Sequence, residues 1–326
     1  MCSDIWLEIF EYFETIELFT IFPRLTNRID ELLLTNNEHF YSRGFVLDGD
    51  LKFFSEEIPL HRIISLSLHE EFFLKIIDQF SKLRSLKLIG GMIWVTSILE
   101  DIIKKEIKLE QLTIVTSRVE ALQKFLLRIS SIISLRRLEI CADELGENDV
   151  ISKSLLLPSQ IEQFILTSSS IIDWNSLLYI LPHFSSILLL NIGLIDRHLK
   201  TIPLFFSQNL RTLSLSLLEV PFIWITNLLQ TPNSIVNFKL TGLVHDENFI
   251  VNENWIRLFE LAPSIVRIYV NLSLEQDKKF YYYEKFQTKL RTINLQLTCI
   301  NDDDDCYQHY GNEHRWWNLK GRMIKA

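Results

Sequence analysis

Leu109-Glu-Gln-Leu112-Thr-Ile114 returns 26 residues later as Leu135-Arg-Arg-Leu138-Glu-Ile140, with the same three apolar positions and polar residues between them. Working outward, the apolar-x-x-apolar-x-apolar pattern precedes this pair at Ile63/Leu66/Leu68 and Leu83/Leu86/Leu88. It continues beyond the pair at Ile161/Phe164/Leu166, Phe184/Ile187/Leu189, Leu210/Leu213/Leu215, Ile235/Phe238/Leu240, Ile265/Ile268/Val270 and Leu290/Ile293/Leu295. The ten copies start 20 to 30 residues apart, whereas chance matches in an aliphatic-rich chain would scatter.

Within each copy the last two apolar residues alternate with polar ones, which is the period of a strand with one buried and one wet face. Each copy therefore supplies one strand of a parallel sheet. About 18 residues separate successive strands, with apolar positions at helical spacing: Ile93, Ile98, Ile102 and Ile103, then Val119, Leu122, Phe125, Leu126 and Ile129. One helix per repeat is predicted. Helices pack about 8–10 Å apart and strands about 4.8 Å apart, so such a stack must curve with its helices outside. The expected fold is an α/β horseshoe of about ten strand-helix repeats, with a parallel sheet on the concave face.

The composition agrees with many similar core layers: the 326 residues include 54 leucines and 41 isoleucines against 9 glycines and 4 alanines. A net charge of −8 offers no general field for phosphate backbones, so nucleic acid is not an expected partner. Neither GxGxxG nor GxxxxGK[ST] occurs, which disfavours the nucleotide-binding enzymes that use those loops. Four scattered cysteines form no disulfide framework, and a reducing, cytoplasmic or nuclear location is expected. The longest apolar region, 213–229, is broken by Glu219 and Pro221, so no membrane span is expected; nor is a secretory leader, because Asp4, Glu8 and Glu11 stand where one would need a basic start.

Residues 1–34 lie outside the period. They read as two short amphipathic helices, one carrying Ile5, Trp6, Ile9, Phe10 and Phe13, the other Leu18, Ile21, Phe22, Leu25 and Ile29. A connector (35–60), the repeats (61–300) and a terminal cap or tail (301–326) complete the expected organisation.

The segment Asp4-Ile-Trp-Leu-Glu-Ile-Phe-Glu-Tyr-Phe13, followed by Glu17-Leu-Phe-Thr-Ile-Phe-Pro-Arg-Leu25, resembles an F-box. Asp4 stands where that family has its glutamate, while Met1 and Cys2 occupy its Leu-Pro positions. Taken together with the ten copies, the segment makes the chain resemble the F-box proteins that carry C-terminal leucine-rich repeats, although Gly91, Ser117, Asp143, Ser169 and Leu218 replace the usual asparagine of the repeat. The resemblance implies a substrate-recognition adaptor of an SCF-type cullin ubiquitin ligase, without enzymatic activity or cofactor and monomeric outside its complex. Ile5, Ile9, Phe10, Phe13, Leu18 and Phe22 would then face the ligase's small adaptor or its core, and the repeats would hold a protein substrate. The alternative is a leucine-rich-repeat scaffold with a degenerate F-box and no ligase role.

Substrate contact is expected on the concave strands. Their wet positions are mostly small or polar, with an apolar spot at Ile165, Leu188 and Leu190 between Arg137 and Glu139 on one side and Lys239, Arg267 and Tyr269 on the other. Cys299, the aspartates at 302–305, Cys306, His309 and His314 lack the tight ligand pairs of a zinc site and the alternation of a calcium loop, so they read as a solvated loop and no metal is expected. The histidines at 61, 69, 183, 198 and 245 fit no local catalytic signature. Trp316 and Trp317 read as a cap over the last repeat.

Overall fold

Within each unit the described copies of the aliphatic pattern up to Ile265/Ile268/Val270 are extended, and successive ones lie side by side. The computed structural model describes residues 10, 21–22, 45–47, 60–69, 77, 79–146, 159–168, 172–173, 184–195, 208–230, 234–276, 295–300 and 315–324. The chain is α/β and forms two units, 1–147 and 148–326, so a division falls inside the stretch expected to be one array.

In the first unit β1 (Phe45–Leu47), β2 (Ser65–His69), β3 (Ser85–Ile89), β4 (Gln111–Val119) and β5 (Arg137–Leu145) pair in chain order, all parallel. Register aligns Leu66, Leu86, Leu112 and Leu138 in one row and Leu68, Leu88, Ile114 and Ile140 in the next, all buried. Each such side chain contributes about 1.5–3 kcal/mol by leaving water. Helix α1 (Met92–Lys104) follows β3 and α2 (Leu122–Ile129) follows β4. The buried stripe of α1 is Val95, Ile98, Leu99 and Ile102, at helical spacing. Ile93, expected in that stripe, is 91% exposed because it sits in the first turn and off that face.

The second unit repeats the plan with β6 (Gln163–Ser168), β8 (Leu189–Ile195), β9 (Thr212–Leu218), β10 (Asn237–Val244) and β11 (Arg267–Gln276), again parallel, while the two-residue β7 (Ile172–Asp173) also pairs with β8. Helix α3 (Phe222–Gln230) follows β9; a 3-10 turn (Glu247–Ile250) and α4 (Asn252–Leu261) fill the longest interval, before β11. The sixth copy is corrected here. Leu190, not Ile187, aligns with Phe164 and Leu213, so the copy is Ile187/Leu190/Ile192 in place of Phe184/Ile187/Leu189, and all three are buried.

What holds the register is one repeated backbone junction. The carbonyls of Ile64, Arg84 and Glu110 in the first unit each accept two successive N–H groups from the next copy: Arg84 and Ser85, Glu110 and Gln111, Arg136 and Arg137, at 2.7–3.0 Å. Glu162, Leu188, Arg211 and Val236 do the same in the second unit. Each junction satisfies the polar backbone where the chain enters a strand, which a buried edge requires.

The tenth copy does not continue the stack. Its Leu295 opens β12 (Leu295–Ile300), whereas Leu290 and Ile293 lie outside the described residues. The neighbour of β11 is instead β13 (Arg315–Ile324), antiparallel over ten residue pairs, and β12 pairs antiparallel with the far side of β13. A strand drawn from the expected tail, and containing Trp316 and Trp317, thus closes the open edge of the last parallel strand.

Candidate interaction surface

Alternation puts every second strand residue on the face opposite the buried rows. In the first unit Arg137 and Glu139 stand there, two residues apart on β5, with the Arg137 guanidinium 3.0 Å from a Glu139 carboxylate oxygen. Both are partly exposed, and a pair of this kind contributes about 0–1 kcal/mol. Arg84 and Glu110 form a second pair at 2.7 Å, one copy apart at the double-acceptor junction.

In the second unit Asn237 and Thr212 join across strands at 3.2 Å, and Thr241 donates to the Leu215 carbonyl at 3.5 Å. Lys239 is exposed, with its ammonium 5.5 Å from the centre of the Tyr269 ring on the next strand. Tyr269 is 44% exposed and Arg267 is exposed beside it. Ile165 is half-buried on β6.

The expected apolar spot is not assembled as read. Leu190 points into the core at 1% exposure, because its register places it in the row of Phe164 and Leu213. Leu188 is 40% exposed, but it stands just ahead of β8, where its carbonyl receives Arg211 and Thr212. Arg137 and Glu139 belong to the first unit; Ile165, Leu188, Lys239, Arg267 and Tyr269 belong to the second.

Sequence reading missed the contribution of β13. Its pairing sets Arg322 opposite Tyr269 and Lys320 opposite Asn271. The segment carries no copy of the repeat pattern, so the only sequence signal for a strand was its mixture of aromatic and aliphatic residues with polar ones.

Of the six expected docking residues, Phe10 and Phe22 are described. Both are buried, and their rings meet edge to face at 5.3 Å. Ile5, Ile9, Phe13 and Leu18 lie outside the described residues, as do the aspartates at 302–305.

A cavity of about 650 Å³ in the first unit is lined by Phe80, Ser81, Lys82, Arg84, Lys105 and Lys108 among others, with no histidine among its described lining residues. Among the described residues no group of three or more His, Cys, Asp or Glu gathers as a metal site, and no helix is long and apolar enough to cross a membrane. Compared with known proteins, the chain matches no family model and no curated protein.

Proposed function

We propose that this chain is a leucine-rich-repeat horseshoe preceded by an F-box-like segment, and that it serves as a substrate-recognition adaptor of an SCF-type cullin ubiquitin ligase. The observation that carries the reading is the recurring junction in which one carbonyl receives two N–H groups from the next copy. Such a device builds a sheet one copy at a time and leaves residues such as Lys239, Arg267 and Tyr269 exposed on the face opposite the core, which suits binding of a folded protein more than chemistry on a small molecule. On the open face of the second unit Tyr269 offers apolar area, with Lys239 and Arg267 orienting the partner; Arg137 offers a charge on the first unit.

The mutual burial of Phe10 and Phe22 favours a second reading, a repeat scaffold whose first helices serve only as internal packing. Co-purification of the full chain with the ligase's small adaptor separates the two. The adaptor reading expects a stable complex that Ile9→Asp and Phe13→Asp abolish without lowering the unfolding temperature. If the chain fails to bind and Met1→Leu with Cys2→Pro restores binding, the scaffold reading holds.

A further inference from the structure

We propose that the open face of the second unit at β10, β11 and β13 takes an acidic, extended segment of a partner protein, held by a basic cluster centred on Tyr269. The inference rests on the protein-binding reading above and names the chemistry of the partner. Register builds a row across three neighbouring strands: Lys239 opposite Tyr269, and Tyr269 opposite Arg322. Two pairs further along β11, Lys320 lies opposite Asn271; Arg267 stands two residues before Tyr269. Directly opposed residues share a face of the sheet, so four basic positions surround one exposed aromatic, and no acidic residue occupies the rows they span.

That sign is opposite to the chain's net −8. Cations about 5–10 Å apart repel one another, and a bound row of carboxylates relieves the repulsion. The cluster covers about 10 Å across strands at about 4.8 Å each and about 13 Å along them, the length of roughly four extended residues. A longer polyanion would run off this area onto a molecule that repels it. The Lys239 ammonium already lies over the Tyr269 ring, which holds one cation in place on the open face.

The test is fluorescence anisotropy of a fluorescein-labelled hexaglutamate peptide titrated with the full chain at low salt, beside hexaglutamine and a six-nucleotide oligothymidylate. Hexaglutamate should bind at least about tenfold more tightly than hexaglutamine, and Lys239→Glu or Arg267→Glu should each weaken it about tenfold with unfolding temperature unchanged. Lys239→Gln and Arg267→Gln, which introduce no new charge, should weaken it less but in the same direction. Ile223→Ala, on the exposed side of α3, should leave it as it was. Equal binding of the neutral peptide, indifference to the charge changes, or tighter binding of the oligothymidylate would each overturn the proposal. Loss of the ligase-adaptor complex with hexaglutamate binding intact would instead strike only the adaptor reading.

Discussion

The carboxylate of Asp246 accepts the backbone N–H of Phe222 at 2.7 Å, across 24 residues of sequence. Phe222 opens α3, where the first N–H groups have no partner within the helix, so a residue from the following copy caps it. The other carboxylate oxygen accepts the Asn248 backbone N–H at 3.0 Å and its side-chain amide at 2.7 Å. Beneath this clasp the rings of Phe222, Phe249 and Trp255 pack 5.1–6.5 Å apart, and the Trp255 indole donates to the Phe249 carbonyl at 2.7 Å.

Asp246→Ala should therefore lower stability by about 1–2 kcal/mol, the usual cost of losing a helix cap. Asp246→Asn keeps an acceptor but loses the charge, and should cost less. Urea unfolding followed by circular dichroism would read both, and an unchanged midpoint for the alanine variant would show that water replaces the carboxylate fully.

Gly242 stands in an inward row of the second unit, opposite Leu217 on β9 and Leu272 on β11, with φ at +116°. A Cβ there would come within 2.7 Å of the Leu217 nitrogen and closer still to its carbonyl oxygen. Gly242→Ala combines a disfavoured backbone angle with a backbone collision, for an expected loss of about 2–4 kcal/mol. A denaturation midpoint equal to the parent's would mean that β9 and β10 separate more easily than their register implies.

Glu106 ends α1 in the left-handed region, φ 52°, with its own N–H donating to Ile103 and that of Ile107 donating to Ile102. This is the two-bond helix ending that glycine serves best, since a side chain there costs about 1–2 kcal/mol. Glu106→Gly should raise stability by about 0.5–1 kcal/mol after the added entropy of the unfolded glycine is counted. Glu219, φ 58°, should gain less from the same change, because its carboxylate also lies 3.7 Å from the His245 ring. A fall in unfolding temperature for Glu106→Gly would count against the ending as described.

The rows of the sheet were legible because leucine and isoleucine recur at positions where polar neighbours leave only one phase open, as at Leu112 and Ile114. The sixth copy was not. Ile187-Leu-Leu-Leu190 is apolar at every position, so period two fits either phase, and the two N–H groups given to the Glu162 carbonyl decide between them. The edge strand was illegible for another reason: β13 joins the sheet antiparallel and outside the repeat, so no spacing from the parallel copies points to it. On the open face, Tyr269 and Arg267 could be placed from alternation alone, whereas the approach of Lys320 and Arg322 depends on a pairing made across more than 40 residues.

The phase of β8 is open to a direct test with three neighbouring leucines. Leu190 is 1% exposed between Phe164 and Leu213, so Leu190→Ala opens a cavity in a row of large side chains and should cost about 2–5 kcal/mol. Leu188 is 40% exposed, and its part in the fold is played by its backbone N–H and carbonyl, which alanine retains. Leu188→Ala should cost less than about 1 kcal/mol. Leu189 is half-buried on the open face, and its truncation should fall between the two. A slip of one residue would exchange the faces of the whole strand, making Leu189→Ala the severe variant and Leu190→Ala the mild one. Urea midpoints of the three variants, measured on the full chain, therefore read the register of β8 by their order alone, and the reversed order would overturn the corrected sixth copy.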